Sequence, residues 1–203
     1  MFPFFPITAA CLMLCMIGGC GAVSAVSKAS EPLDAYTLAP LAGKGGQGKA
    51  QLVVEVPTAS GAINSDRILA QPSPLQVQYL PEARWVDAAP VLMQTLIVMT
   101  LQNSGYFRLV GRDDAGLAPD YALVSDLFAF QVEGGPAGTP MQVHVGVNAT
   151  LIRVEDGSIL STHQFDQTVP LAADDTASII TAFNAATSQV LADVAVWAGS
   201  RGR

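Results

Sequence analysis

This 203-residue sequence predicts an α+β fold: a single domain with a mostly antiparallel sheet of about six or seven strands and two principal helices packed on it. Three observations carry that prediction. From Met141 to Val154, apolar Met141, Val143, Val145, Val147, Ala149 and Leu151 alternate with Gln142, His144, Asn148 and Thr150, so one face of a strand is buried and the other wet. Asp156-Gly157 then signals a hairpin into a strand from Ser158 to Val169, and a strand from Tyr121 to Val132 before it completes an antiparallel meander. Finally, Ile180, Phe183, Thr187, Val190, Val194 and Trp197 recur at three- and four-residue spacing, the mark of an amphipathic helix lying on that sheet.

The remaining elements follow in order. Glu31 to Leu41 is a first short ordered segment, and Gln51 to Val56 is a strand rich in valine, ended by Pro57. Ser65 to Leu80 holds a short apolar piece, a Pro72-Ser73-Pro74 break and an alternating strand with Leu75, Val77 and Tyr79 on one side, closed by Pro81. A helix follows, with Asp87 as N-cap, Pro90 in the first turn and Gly105 past its C-terminus. Between Val91 and Leu101 only Gln94, Thr95 and Thr100 are polar, so this helix is buried on two sides or permits a homo-oligomer. Tyr106 to Val110 is a short strand, and Asp174 or Asp175 caps the final helix.

The N-terminal segment has a different logic. Phe2 to Gly19 contains no charged side chain, and its apolar core from Ala9 to Ile17 is too short to cross ~30 Å of hydrocarbon, which needs about 20 residues. It reads as a signal peptide, although the stretch before that core lacks Lys and Arg. Ile17, Gly18, Gly19 and Cys20 match the cleavage box of bacterial lipoproteins, a class in which the cysteine becomes the N-terminus and carries a diacylglycerol and an N-acyl group, commonly palmitate. The expected organisation is therefore residues 1-19 as signal peptide, 20-34 as an acylated tether of small residues, and 35-203 as the α+β domain.

Charge and cysteine content narrow the classes further. The net charge of −7 argues against nucleic acid as a partner, so membrane contact is expected through lipid rather than a basic patch. Cys11 and Cys15 leave with the signal peptide, so the mature chain supports neither a disulfide framework nor a thiolate metal site. Gly43 to Ala50, GKGGQGKA, nearly matches a phosphate-cradling loop, but Ala50 stands where Ser or Thr is needed and a strand follows instead of a helix. His144 and His163 fall on neighbouring strands; a two-residue turn at Asp156-Gly157 places His163 opposite Thr150, about 20 Å from His144 at ~3.3 Å per residue. Asp113-Asp114 and Asp174-Asp175 read as turn and cap residues. No catalytic set, cofactor site or metal site emerges, and the expectation is a protein that is not an enzyme.

SDRILAQPSPLQVQYLPEARWVDAAP, Ser65 to Pro90, resembles the signature of the ABC-type transport auxiliary lipoprotein family in its D-R-I, P-S-P, Y and A-R-W series. Supporting pieces are AYTLAP at Ala35 to Pro40, SGYFRLV at Ser104 to Val110, PDYALVSDLFAFQ at Pro119 to Gln131, and TAFNAA in the last helix. The resemblance implies a lipid-anchored periplasmic accessory, non-catalytic, working in a Gram-negative bacterium beside an ABC permease, its ATPase and an MCE-domain protein in phospholipid traffic between the membranes. Gly21 after Cys20 favours the outer membrane over the inner one. Lipidation falls on Cys20, while Arg67, Tyr79, Arg84 and Trp85 are the pattern residues able to form a partner surface. The competing reading is a structural or assembly lipoprotein that supports envelope machinery without lipid flux.

Overall fold

The structure, a computed structural model, describes residues 32–43, 48–113, 116, 118–134 and 140–201. In chain order these form β1 (Asp34–Tyr36), β2 (Gln51–Val54), β3 (Thr58–Ala59), β4 (Arg67–Ser73), β5 (Gln76–Trp85), α1 (Ala89–Ser104), β6 (Leu109–Arg112), β7 (Tyr121–Glu133), β8 (Gln142–Arg153), β9 (Ile159–Pro170) and α2 (Thr176–Arg201). Residues Asp34–Arg203 form one unit. The expected signal peptide, Cys20 and nearly all of the expected tether lie outside the described residues.

The thirteen-residue strand β7 is the spine of the sheet. One edge pairs antiparallel with β8 along its whole length, and β8 pairs in turn with β9. Along the other edge β2, β3 and β4 follow one another, each parallel to β7, with Leu52 beside Tyr121, Thr58 beside Asp126 and Leu69 beside Gln131. Pro57, which has no amide hydrogen to give to a ladder, falls between β2 and β3. β6 pairs parallel with β2, β5 antiparallel with β4, and β1 parallel with β5. Among the described residues the sheet therefore has nine strands and is mixed, where a mostly antiparallel sheet of six or seven was expected. The meander of β7, β8 and β9 is as expected; the parallel half depends on pairings far apart in sequence, which local periodicity does not encode.

Both helices cover one face. α1 packs on β2 and β6, α2 packs on β8 and β9, and the two helices touch. Most of α1 is buried, including Leu92, Met93, Leu96, Ile97 and Leu101, so its all-round apolarity is met by a two-sided core, with Met99 left 42% exposed. α2 is long and apolar enough by composition to cross a membrane, but Ile179, Phe183, Ala186, Val190, Leu191 and Val194 are buried inside the domain. The inward position in its first turn is Ile179 rather than Ile180.

At the centre, Trp85 from the end of β5 lies 5.4 Å from Phe130 of β7 and 5.0 Å, edge-on, from Phe183 of α2, and the two phenylalanines are themselves 5.0 Å apart. Offset and edge-to-face contacts of this kind add about 0.5–1.5 kcal/mol each beyond area burial.

Two boundaries differ from expectation, both for reasons of backbone chemistry. Pro81 does not close β5, which runs on to Trp85; the proline falls in an irregularity where Leu69 pairs with Tyr79 but Arg67 pairs with Arg84, so no ladder bond is lost. Asp87 does not cap α1: the N-cap is Ala88 with no side-chain hydrogen bond, Pro90 in the first turn contributes no orphan amide, and Gly105 adopts the left-handed C-terminal position at φ 66°. The strand after α1 is Leu109–Arg112, later than the expected Tyr106 to Val110.

Replacing Trp85 with alanine should lower unfolding free energy by about 3–5 kcal/mol, as for other large buried aromatics. Arg84→Ala, at a half-exposed position one residue earlier, should cost less than ~1 kcal/mol. Urea denaturation followed by circular dichroism measures both, and equal effects would refute the assignment of Trp85 to the core.

Candidate functional site

The Arg67 to Trp85 segment is a hairpin whose base is tied down and whose tip is exposed. At the base, Trp85 is 0% exposed, so it serves the core and offers no partner surface. Arg67 donates through Nη2 to the Leu80 carbonyl at 3.0 Å, and its guanidinium carbon lies 5.7 Å from the centre of the Tyr79 ring. The Tyr79 hydroxyl donates to the Ala62 carbonyl at 3.2 Å. Arg84 meets Asp66 at 3.4 Å, with the two side chains 40% and 45% exposed, a geometry worth at most about 1 kcal/mol. Three of the four pattern residues thus brace the hairpin from its flanks and the fourth buries its end; only the Tyr79 ring and the Arg84 head retain substantial exposed surface.

Beyond the base the character changes. Ser73 pairs with Gln76, so Pro74 and Leu75 make the turn, and every residue from Pro72 to Tyr79 is exposed, with Leu75 fully so and Val77 at 59%. The last pairing of β4 with β7 is Gln71 with Glu133, so the tip stands past the end of the spine. Beside its root, at the same end of the sheet, is a cavity of about 170 Å³ lined by Ala70, Leu80, Val132, Met141, Leu171 and Ile179 together with Asp174.

The face of the sheet away from the helices carries a polar cluster that sequence reasoning did not assemble. His144 Nδ1 lies 3.1 Å from Glu133 and Nε2 lies 2.5 Å from Asp166, while Gln142 donates to Glu133 at 2.9 Å. The two carboxylates meet opposite edges of the imidazole, so they do not converge on a common point; among the described residues no such group is placed to hold a metal ion. Both contacts are donated by the ring only when both nitrogens carry protons. Partial burial pushes the Glu133 pKa up, but hydrogen bonds from Gln142 and His144 and the charge of His144 outweigh it and hold the carboxyl below the usual range. The alternation of β8 did place His144 on the polar face, but its partners come from β7 and β9, whose registers the sequence leaves open.

His163 is elsewhere. It pairs with Ala149 rather than Thr150, because the hairpin between β8 and β9 is longer than two residues: Arg153 and Ser158 close it by a backbone hydrogen bond, and a bulge lies between Leu151 and Ile152. Its ring packs edge-on against Phe165 at 4.8 Å, on the face where Phe165 meets Trp197 of α2, whereas His144 occupies the other face. The histidines are not brought together. Asp175 caps α2 by accepting from the Ser178 amide at 2.9 Å, and hydrogen bonds from that amide and the Ser178 hydroxyl lower its pKa. Asp113 Oδ1 lies 3.5 Å from Gln94 Nε2, a weak link to α1; Asp114 is outside the described residues. The described flanks of the glycine-rich segment sit at the C-terminal end of α1, where Gly48 donates to the Gly105 carbonyl at 3.1 Å. A helix C-terminus carries partial negative charge and repels phosphate, so the resemblance to a nucleotide loop is superficial.

Because the folded pKa of Glu133 is lowered, its contribution to stability is complete above the unfolded carboxylate value of about 4.3 and is lost as pH falls through the folded value. Stability should therefore decline below about pH 4.3, and Glu133→Gln should flatten that decline while leaving the remaining carboxylates to titrate. Urea midpoints between pH 3 and 7, values on the order of the carboxylate range, measure the slope; an unchanged acid limb in the variant would contradict the cluster.

Among curated proteins none matches this chain. Solved structures do. A Xanthomonas campestris protein of the DUF330 family superposes with a TM-score of 0.75 at 26% identity, covering 85% of this chain and 97% of that one. A hypothetical protein from Chlamydia trachomatis shares the fold at TM-score 0.52 and 9% identity, over 76% of this chain and 98% of that one. The family model described as "ABC-type transport auxiliary lipoprotein component" matches residues 36–195, nearly the whole folded unit with the braced hairpin inside it. This chain belongs to the ABC-type transport auxiliary lipoprotein component family.

Proposed function

We propose that the chain is a lipid-anchored, non-catalytic accessory on the periplasmic side of the outer membrane, docking on an MCE-domain protein that works with an ABC permease and ATPase in phospholipid transport. The family match over residues 36–195 carries the reading. Cleavage before Cys20 and acylation of its thiol and amine supply the anchor, with Gly21 favouring outer-membrane sorting. Both ring nitrogens of His144 are engaged by carboxylates, and His163 packs edge-on against Phe165, so the two imidazoles serve contacts within the sheet.

Tethering is then part of the activity, since holding a domain at the surface where its partner ends raises their effective concentration without any new contact. Cys20→Ser should release the protein from the membrane fraction and abolish transport-linked function while leaving thermal unfolding unchanged; a soluble form with full function would overturn the role of the anchor. Affinity purification of the tagged full chain from solubilised native membranes, with protein and lipid identification, should recover the MCE protein and the permease. Complexes that contain envelope assembly factors but never those components would replace the transport reading with the structural one.

A further inference from the structure

The geometry points to a second membrane contact: we propose that the tip of the β4–β5 hairpin, Pro72 to Tyr79, enters the headgroup region of the same phospholipid bilayer that holds the acylated N-terminus. The inference rests on the anchored reading above and deepens it by assigning the surface of the domain that faces the lipid.

Chemistry of the tip is the first argument. From Gln71 to Pro81 there is no charged side chain, in a protein of net charge −7. Leu75 at the turn is fully exposed, and Val77 and Tyr79 continue the same face at 59% and 39%. An exposed leucine alone means little, but here it is the outermost residue of an uncharged projection. A tyrosine behind two aliphatic residues is an arrangement that suits the boundary between headgroups and acyl chains. Pro72 and Pro74 remove two amide donors from the part that would be desolvated, and Ser73 and Gln76 pair across the turn, which lowers the number of backbone groups that lose their water.

Direction is the second argument, and it is independent of composition. β1 runs parallel to β5, with Asp34 beside Ala83 and Tyr36 beside Trp85, so the N-terminal end of β1 points toward the side on which the hairpin tip lies. Leu75 is eight residues from Ala83 along β5, at most about 26 Å at ~3.3 Å per residue. The fourteen residues from Cys20 to Leu33 reach at most about 50 Å, so an anchor in the bilayer leaves the tip free to touch it. The small cavity beside the root lies at this end too, whereas the loop between β8 and β9 lies at the opposite end of the sheet, as the pairing of Tyr121 with Arg153 requires.

Acylated full-length protein carrying Leu75→Cys, labelled with an environment-sensitive dye and bound to phosphatidylethanolamine and phosphatidylglycerol vesicles, tests the proposal. Ile159→Cys, at a position 66% exposed and at the far end of the sheet, is the control. The dye at 75 should shift its emission to the blue and be quenched by nitroxide-labelled lipid, while the dye at 159 stays aqueous. If the protein floats with the vesicles but both dyes report water, the hairpin contact is wrong and the anchor stands. A dye at 75 that shifts only in native membranes holding protein partners assigns the tip to a protein and overturns the lipid contact. Acylated protein that fails to float removes the anchored reading and this inference with it.

Discussion

Burial of Trp85 is the contact on which the geometry of this domain depends. The indole ends β5 and meets Phe130 on the spine and Phe183 on α2, so one side chain fixes the hairpin, the sheet and a helix against one another. The same three-residue stretch that buries it, Ala83 to Trp85, is the ladder on which β1 pairs. The Pro81 irregularity lets β5 both pair with β4 near the tip and deliver Trp85 inward at its end, a change of course that a regular strand with two-residue periodicity would not permit.

The spine imposes a second constraint. With β8 along one edge and three successive strands along the other, β7 has its backbone groups occupied on both sides over most of its length. Such a strand can change which of its side chains face the core only through a bulge, and there is one: Leu127 pairs with Val147 and Ala129 with Gly146, leaving Phe128 extra. Its ring lies over Gly146, where a Cβ would collide with it, and its edge approaches His144 at 6.2 Å. The bulge therefore does two things at once. It turns Phe130 toward Trp85 and sets Gln131 and Glu133 on the polar face within reach of β8, which is how the Glu133, His144 and Asp166 cluster forms.

How much of this is legible without coordinates depends on the range of each interaction. The β7, β8 and β9 strands, both helices and the Gly105 and Asp175 caps are encoded by local periodicity and cap chemistry, and they appear where those signals lie. The consecutive buried Leu52, Val53 and Val54 of β2 is the run a parallel strand shows, yet its neighbours β6 and β7 are set by contacts more than fifty residues away, beyond what a pattern can specify. In the signature segment the residues were recognisable but their division of labour was not. Arg67, Tyr79 and Arg84 look like interface anchors in a one-dimensional reading, and only the fold reveals that Trp85 is internal and that the others mainly brace it. The apolar tip between them carried the more informative signal, an uncharged run in an acidic protein, but it acquired meaning only when Pro72 to Tyr79 proved to be exposed together.

Those bracing contacts explain why a two-stranded projection is stable enough to matter. An isolated hairpin of this length is marginal in water, and among the described residues no third strand lies beside the tip past Gln71. It keeps its shape because its root is overdetermined: Trp85 in the aromatic cluster, Arg67 on the Leu80 carbonyl and the Tyr79 ring, Tyr79 on Ala62, and β1 along the outer edge. A stiff projection transmits position. If its tip rests on one surface and its root is continuous with the sheet, the orientation of the polar face and of the far loops relative to that surface is fixed by covalent structure and packing.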